Sequence, residues 1–171
     1  TLPTSGWIDR MFEAFEKDPT LGIVSPVTNY VGEGLQLERT AEELNPDEID
    51  SYASGLEECD VDYEPSRLVF FCVMLRRSVI EQIGLLDEGY IKGNFEDDDY
   101  CLRAILSGYK LGVVRSAFVF HYGSITFKKN MIIHSDHMEL NRKRFFLKAG
   151  SLATALRVPF NKTQNSCISV I

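Results

Sequence analysis

The chain lacks the features that mark several classes of partner. Asp and Glu outnumber Lys and Arg by 25 to 18, and the formal net charge is −7. There is thus no basic excess to attract nucleic acid or an anionic membrane. No apolar run approaches the roughly 18–20 residues that span a bilayer, and no basic segment followed by an apolar one opens the chain as in a signal peptide. We therefore expect a cytoplasmic protein with no transmembrane segment and no nucleic-acid partner.

Cysteine is also sparse, and its spacing matches no motif. The four cysteines, Cys59, Cys72, Cys101 and Cys167, lie far apart, and none forms a CxxC pair. Cys72 and Cys101 fall within apolar segments. This pattern favours buried free thiols in a reducing compartment over disulfides or a zinc site.

The length, composition and apolar spacing of the chain suit one α/β domain. The 171 residues are 44% apolar, which is enough for a core of its own. Apolar spacing predicts a helix over 6–17, and the nearly continuous apolar run of nine residues at 67–75 is typical of a strand buried on both faces. Further predicted elements are a strand at 21–27, helices at 45–58, 78–84, 96–109 and 131–149, and a strand pair or one long bent strand over 110–121. The polar segment 33–66 is expected to be a surface excursion, and the whole order predicts a mixed sheet covered by helices.

The most informative segment holds four consecutive carboxylates, Glu96 to Asp99, directly before an apolar-periodic stretch. Such like charges repel one another. If Asn94 or Glu96 caps the helix, the acids occupy its first turn, where the macrodipole stabilises each by about 0.3–1 kcal/mol. Asp99 is spaced to pair with Arg103. At least one acid is left without a structural partner, so the cluster is either a solvated acidic turn or the place of a general base toward an alcohol.

Two further residues have two readings each. His121 ends the apolar run 117–120, which places it at a rim of the fold, either as a metal ligand or as a hydrogen-bonded histidine. Trp7, the only tryptophan, either packs in the core or forms an aromatic platform near a substrate. Taken alone, the residues favour a hydrogen-bonded rim histidine at His121 and core packing for Trp7.

Seven short segments of the sequence form an ordered set. Together they resemble the C-terminal half of the inverting family 2 glycosyltransferases, over roughly residues 5–150. Each segment is weak alone, but their shared order and spacing are specific, and the acidic block is the most diagnostic. In chain order the segments are 6–9, 21–29, 71–77, 84–88, 93–103, 108–109 and 121–124.

The resemblance implies a GT-A fold, a Rossmann-like α/β sandwich, and transfer of a sugar from a nucleotide-sugar donor to an acceptor hydroxyl with inversion. It makes Asp97 the general base and Glu96 a second catalytic residue, and it has Glu96 and Asp98 shape the acceptor pocket. Asn94, Asp98 and Trp7 become candidate substrate-binding residues. His121 becomes a ligand of the divalent metal, Mg²⁺ or Mn²⁺, that is expected for the complete enzyme.

The resemblance also has a gap. The family's first βα units, its nucleobase-binding acid and its Asp-x-Asp metal motif would all precede Thr1. We therefore expect residues 1–171 to form a partial GT-A domain, the acceptor-side portion, that is inactive alone. The processive motif QxxRW is absent, which favours an enzyme that adds a single sugar. The alternative is a non-catalytic binding or self-assembly module of the same ancestry, and an exposed sheet edge predicts self-association.

Overall fold

The computed structural model describes residues 1–32, 34–56, 61–64, 66–91, 93–123 and 131–156. Within these ranges the chain alternates strands and α-helices, with a 3₁₀ turn at Arg39–Ala41. In chain order the elements are β1 Leu2–Pro3, α1 Trp7–Lys17, β2 Leu21–Val27, α2 Ile49–Ser54, β3 Val61–Glu64, β4 Met74–Leu75, α3 Arg77–Ile83, α4 Glu96–Leu106, β5 Lys110–Phe120 and α5 Met131–Leu156. The predicted helices at the two ends of the chain and around residue 100 are confirmed.

β5 lies at the centre of a mixed sheet. β2 runs parallel to it on one side and carries the antiparallel β4 on its far edge. On the other side β5 pairs antiparallel with two short strands, first with β3 and then, near its end, with β1. The expected α/β class with a mixed sheet is confirmed, and the arrangement is compatible with a Rossmann-like fold.

β5 is one bent strand, one of the two forms that the sequence left open. Its register against β2 jumps from Val114 opposite Pro26 to Phe118 opposite Val27. Such an irregularity lets the strand change which face its side chains occupy. Val113 and Phe118 accordingly pack into the same apolar cluster although they are an odd number of residues apart.

Helices cover both faces of this sheet. On one face α1 packs Met11, Ala14 and Phe15 against the strands. On the other face lie α2, α3 and α4, whose buried residues join β2 and β5 in the largest cluster. A third cluster joins α4 to the long helix α5 through Tyr90, Leu102, Phe145 and Ala149. α4 is therefore enclosed between the sheet and α5.

The apolar run 67–75 is the main departure from the predictions, because only Met74–Leu75 forms a strand. The preceding backbone bonds to side chains instead of a neighbouring strand. Gln36 donates to the Val69 carbonyl at 3.0 Å and accepts from the Val69 amide at 2.7 Å, and Ser25 donates to the Cys72 carbonyl at 3.0 Å. The prediction of a nine-residue strand buried on both faces is wrong because these partners lie far away in sequence.

The segment 33–66 contributes more than the surface excursion expected of it. β3 pairs with the centre of the sheet, and Ala41, Ile49 and Ala53 are buried in the largest cluster. The helix predicted over 45–58 is shorter, Ile49–Ser54. Asn45 donates from its amide and its side chain to Glu48 Oε2, at 3.1 Å each. These bonds hold a turn where the helix was expected to start.

The sheet edges in the described ranges are short strands of two to four residues. They offer little backbone for pairing with a second copy, and self-association stays a prediction. No helix in the described part of the chain combines the length and apolar character needed to cross a bilayer.

Cys72 and Cys101 are free thiols, as predicted. Burial raises the pKa of the Cys72 thiol to about 11 and raises the pKa of Cys101 further. Both thiols are therefore poor nucleophiles at neutral pH. Cys59 and Cys167 lie outside the described residues.

Candidate functional site

The first turn of α4 presents the acidic cluster, and an unusual turn of the backbone leads into it. Gly93, Asn94 and Phe95 have φ values of 85°, 73° and 72°, three consecutive left-handed residues. For Asn94 and Phe95, which carry side chains, this conformation costs about 1–3 kcal/mol each. Phe95 occupies the N-cap position with no capping side chain, so the expected cap by Asn94 or Glu96 is wrong.

Asp99 has a structural role. Its side chain is 1% exposed, and its carboxylate lies 2.9 Å from Arg103 Nε and 2.8 Å from Lys148 Nζ. The Tyr90 hydroxyl donates to it at 3.4 Å. The predicted pair with Arg103 is confirmed, and the second cation comes from α5. Two cations offset the charge of this buried acid.

Asp98 is also largely buried, with its side chain 14% exposed. Arg67 Nη1 lies 3.3 Å from its Oδ1. Burial raises the pKa of Asp98 to about 6, with a further rise from the charge of Asp97 and an opposing effect of Arg67. Asp98 therefore changes charge close to neutral pH, unlike an ordinary aspartate.

Among the described residues, the hydrogen-bond donors to the Asp97 carboxylate are backbone amides. Its Oδ2 accepts from the Phe70 amide at 3.4 Å, and its Oδ1 accepts from the Asp98 amide at 3.0 Å. In the described ranges no Lys or Arg lies within salt-bridge distance of this carboxylate. A carboxylate offers about four lone-pair sites, so Asp97 keeps capacity for a further hydrogen bond.

Glu96 is the one member of the cluster with an unsatisfied buried atom. Its Oε2 is buried and has no hydrogen-bond partner among the described residues. Burial raises the pKa of Glu96, and the charge of Asp97 raises it further. A buried carboxyl oxygen without a partner is costly, and a hydroxyl donor would satisfy it.

His121 follows β5 at the end of the sheet where both parallel strands finish. Its Nδ1 lies 2.7 Å from the Tyr30 carbonyl oxygen, which can only accept, so Nδ1 carries the proton. The His121 amide donates to Asn29 Oδ1 at 2.8 Å, and the ring stacks on Phe71 with centroids 5.5 Å apart.

Two adjacent residues of the 67–73 segment link the histidine to the acids. The Phe70 amide binds Asp97, and the Phe71 ring stacks on His121. Both functional groups therefore border the same short segment, at the carboxyl ends of parallel strands where open α/β sheets bind ligands.

The metal prediction finds no complete ligand set. No group of three or more His, Cys, Asp or Glu side chains able to hold a metal ion is present in the described part of the chain. His121 can supply one imidazole ligand, but the acids do not join it. The described residues therefore do not fit a divalent metal site by themselves.

Trp7 lies apart from this cluster. It packs on the α1 face of the sheet against the cluster that contains Met11 and Phe15. The acids begin a helix on the opposite face. The structure therefore brings Asp97 and His121 to adjacent residues, Phe70 and Phe71, and places Trp7 in core packing, the reading that the sequence also allowed.

Three residues that sequence reasoning missed complete the site: Arg67, Lys148 and Asn141. Arg67 and Lys148 give no local signal, because their partners lie more than 30 residues away. Asn141 does carry one. Asparagine is a poor helix former, so its place inside a long helix suggests a side chain that bonds elsewhere.

Comparison with models of protein families found no match, and neither did comparisons with curated proteins and with solved structures.

Proposed function

We propose that this chain forms the acceptor side of an inverting glycosyltransferase of GT-A type, with Asp97 as the general base. One observation carries the proposal, namely the different surroundings of four neighbouring acids. Within the described part of the chain, Asp99 is held by two cations and Asp98 by one, whereas Asp97 accepts hydrogen bonds from backbone amides and pairs with no cation. Asp97 is thus the acid with both a fixed position and a free lone pair.

The proposed reaction balances as follows. The acceptor hydroxyl gives its proton to the Asp97 carboxylate while its oxygen bonds to the anomeric carbon of the donor sugar. The bond from that carbon to the diphosphate oxygen breaks, and the electron pair leaves with the nucleoside diphosphate. Attack opposite the leaving group inverts the anomeric centre. Positioned general bases contribute about 10²–10⁴-fold to such steps.

Glu96 and Asp98 are proposed to bind the acceptor. Their raised pKa values favour the protonated form more than in an ordinary carboxyl group. A protonated carboxyl can donate as well as accept, which suits the hydroxyl groups of a sugar. The unpartnered Oε2 of Glu96 supports this role, because a bound hydroxyl would satisfy it.

No step is assigned to a metal. The described residues contain no group of three or more His, Cys, Asp or Glu side chains that could hold a metal ion. His121 is instead proposed to order the rim, since its amide and its ring tie Asn29, Tyr30 and Phe71 together.

The decisive experiment measures nucleoside diphosphate release from UDP- and GDP-sugars with hydroxyl acceptors. It uses the longest open reading frame that contains these 171 residues. Asp97→Asn is expected to lower turnover by about 10²-fold or more. Asp9→Asn makes the same change on an exposed residue of α1 and is expected to leave turnover unchanged.

Turnover that survives Asp97→Asn would exclude Asp97 as the base. The alternative of a non-catalytic module predicts a different result. It predicts no release of nucleoside diphosphate with any donor, together with saccharide binding that weakens in Asp98→Asn.

A further inference from the structure

Asn141 is a polar residue buried in the middle of α5. Its side chain is 1% exposed, yet all of its hydrogen-bonding groups are engaged. Nδ2 donates to the carbonyls of Ile91, Gly93 and Asn94 at 2.6, 3.0 and 3.0 Å. Oδ1 accepts from the Ile91 amide at 2.8 Å. One side chain thus bonds to four backbone groups of the segment before α4, and because Nδ2 has two hydrogens, two of the three carbonyls share one of them.

These bonds stabilise the left-handed turn that leads into the acidic cluster. Such a turn persists only where its surroundings impose it, because two of its three residues carry side chains. A second contact from the same helix supports it, with the rings of Phe95 and Phe145 5.7 Å apart. α5 therefore sets where the first turn of α4 begins.

We propose that Asn141 is a positioning residue for the site, which fixes the carboxylates of Asp97 and Asp98 through the turn Gly93-Asn94-Phe95. Asn141 touches none of the acids and acts through the backbone. An effect of Asn141 on catalysis rests on the proposed function, whereas its effect on the position of the two carboxylates does not.

The chemistry of the side chain explains why asparagine occupies this position. The turn presents one amide and three carbonyls to a single point. Only a carboxamide offers one acceptor and two donors at that reach. Aspartate would face three carbonyls without a donor, and leucine of similar size would leave all four groups unpaired at a cost of about 1–3 kcal/mol each.

The test follows the titration of the acids, which does not need a substrate. Carboxyl ¹³C NMR of the unmodified chain is expected to give Asp98 a pKa of about 6. In Asn141→Leu the turn is expected to relax and the acids to gain water, so this pKa should fall by about one unit or more toward its ordinary value. Arg67, Glu96 and Asp97 are the charged groups that face Asp98, and Lys148 of α5 reaches the neighbouring Asp99.

Ala149→Gly is the matched control. Ala149 is buried in the same α4–α5 interface but touches no part of the turn through a hydrogen bond. The substitution of glycine for Ala149 lowers helix stability by about 1 kcal/mol. The titration of Asp98 in this variant is expected to match that of the unmodified chain. An equal fall in both variants would mean that Asn141 merely supports the fold, and would overturn the proposal.

Two measurements protect the test against a variant that fails to fold. Asn141→Ser keeps one hydroxyl for the turn and is expected to give a smaller fall in the Asp98 pKa. In the unmodified chain, hydrogen exchange of the Ile91 amide should be slowed to the level of the α4 core amides. If Ile91 exchanges as fast as an open loop, the bond to Asn141 is absent and the proposal is wrong. A chain without transferase activity that passes these tests would reject the proposed function and keep the positioning role.

Discussion

The Lys148 ammonium lies 2.8 Å from Asp99 Oδ1 and joins α5 to the first turn of α4. The same ammonium lies 2.8 Å from Asp87 Oδ2. Asp99 is the most buried of the four consecutive acids, and Arg103 offsets only part of its charge. Lys148 of α5 therefore offsets part of the electrostatic repulsion among these acids, although α5 begins some 30 residues later in the chain.

Replacing Lys148 by methionine is expected to destabilise the fold. The change keeps the apolar stem but leaves Asp99 with one cation fewer in a buried site. We expect a loss of about 1–3 kcal/mol in the free energy of unfolding, measured by urea denaturation. Lys143→Met removes an exposed pair with Glu139 and should cost less than about 1 kcal/mol. Equal losses in the two variants would contradict the buried role of Lys148.

Asp98 predicts an unusual dependence of stability on pH. Its folded pKa of about 6 lies above the ordinary 3.8, so the folded state binds the proton more tightly between these values. Stability from this group is therefore greatest below about pH 4 and falls as the pH rises through 6. Glu96 also has a raised pKa, so its contribution to stability likewise falls as the pH rises. Asp18 and Asp87 have lowered pKa values, so their contributions to stability change only below about pH 4.

Asp98→Asn should remove the part of this pH dependence that Asp98 contributes. At pH 8 the variant is expected to be more stable than the unmodified chain, by up to about 3 kcal/mol, because the buried charge is gone. At pH 4 the two should be nearly equal. Thermal unfolding at both pH values provides the measurement, and a variant that is less stable at pH 8 would show that the pair with Arg67 outweighs the burial cost.

The turn before α4 predicts a contrast between two substitutions of Asn94. At φ 73° glycine adopts the conformation freely, whereas valine does not. Asn94→Gly is expected to change stability by less than about 1 kcal/mol, and Asn94→Val to lower it by about 2 kcal/mol or more. Chemical denaturation of both variants tests this, and a well-tolerated valine would show that the turn is not left-handed in solution.

Gly22 in β2 lies where no side chain fits. A Cβ there would approach Cβ of Tyr109 to 2.6 Å and Cγ2 of Val79 to 2.8 Å. Gly22→Ala should therefore lower stability by about 1–3 kcal/mol through overpacking. Gly150→Ala is the control, because a Cβ at that position of α5 meets no atom within 4 Å and should raise stability by about 0.5–1 kcal/mol. Melting temperatures that moved in the same direction would refute this contrast.

Local pattern was enough to locate most elements of the fold. The helices α1, α3 and α4 each bury one stripe of apolar residues, and the helical spacing of those residues predicted them. β2 is a short apolar run between turn residues, which predicted a strand. The pattern failed at 67–73, because the nearly continuous apolar run 67–75 suggested a nine-residue strand and only its last two residues form one. There the backbone bonds to Gln36 and Asp97, and a single sequence does not reveal such distant partners.

The same division holds for the site. The sequence by itself determined that four carboxylates open a helix and that Asp99 is spaced to pair with Arg103, because both follow from helical geometry. Only the tertiary structure decided the fate of the other acids, since Arg67 and the Phe70 amide approach from a distant segment. Charge and period are local properties of a chain, whereas burial and the choice of partner arise only when its segments pack together.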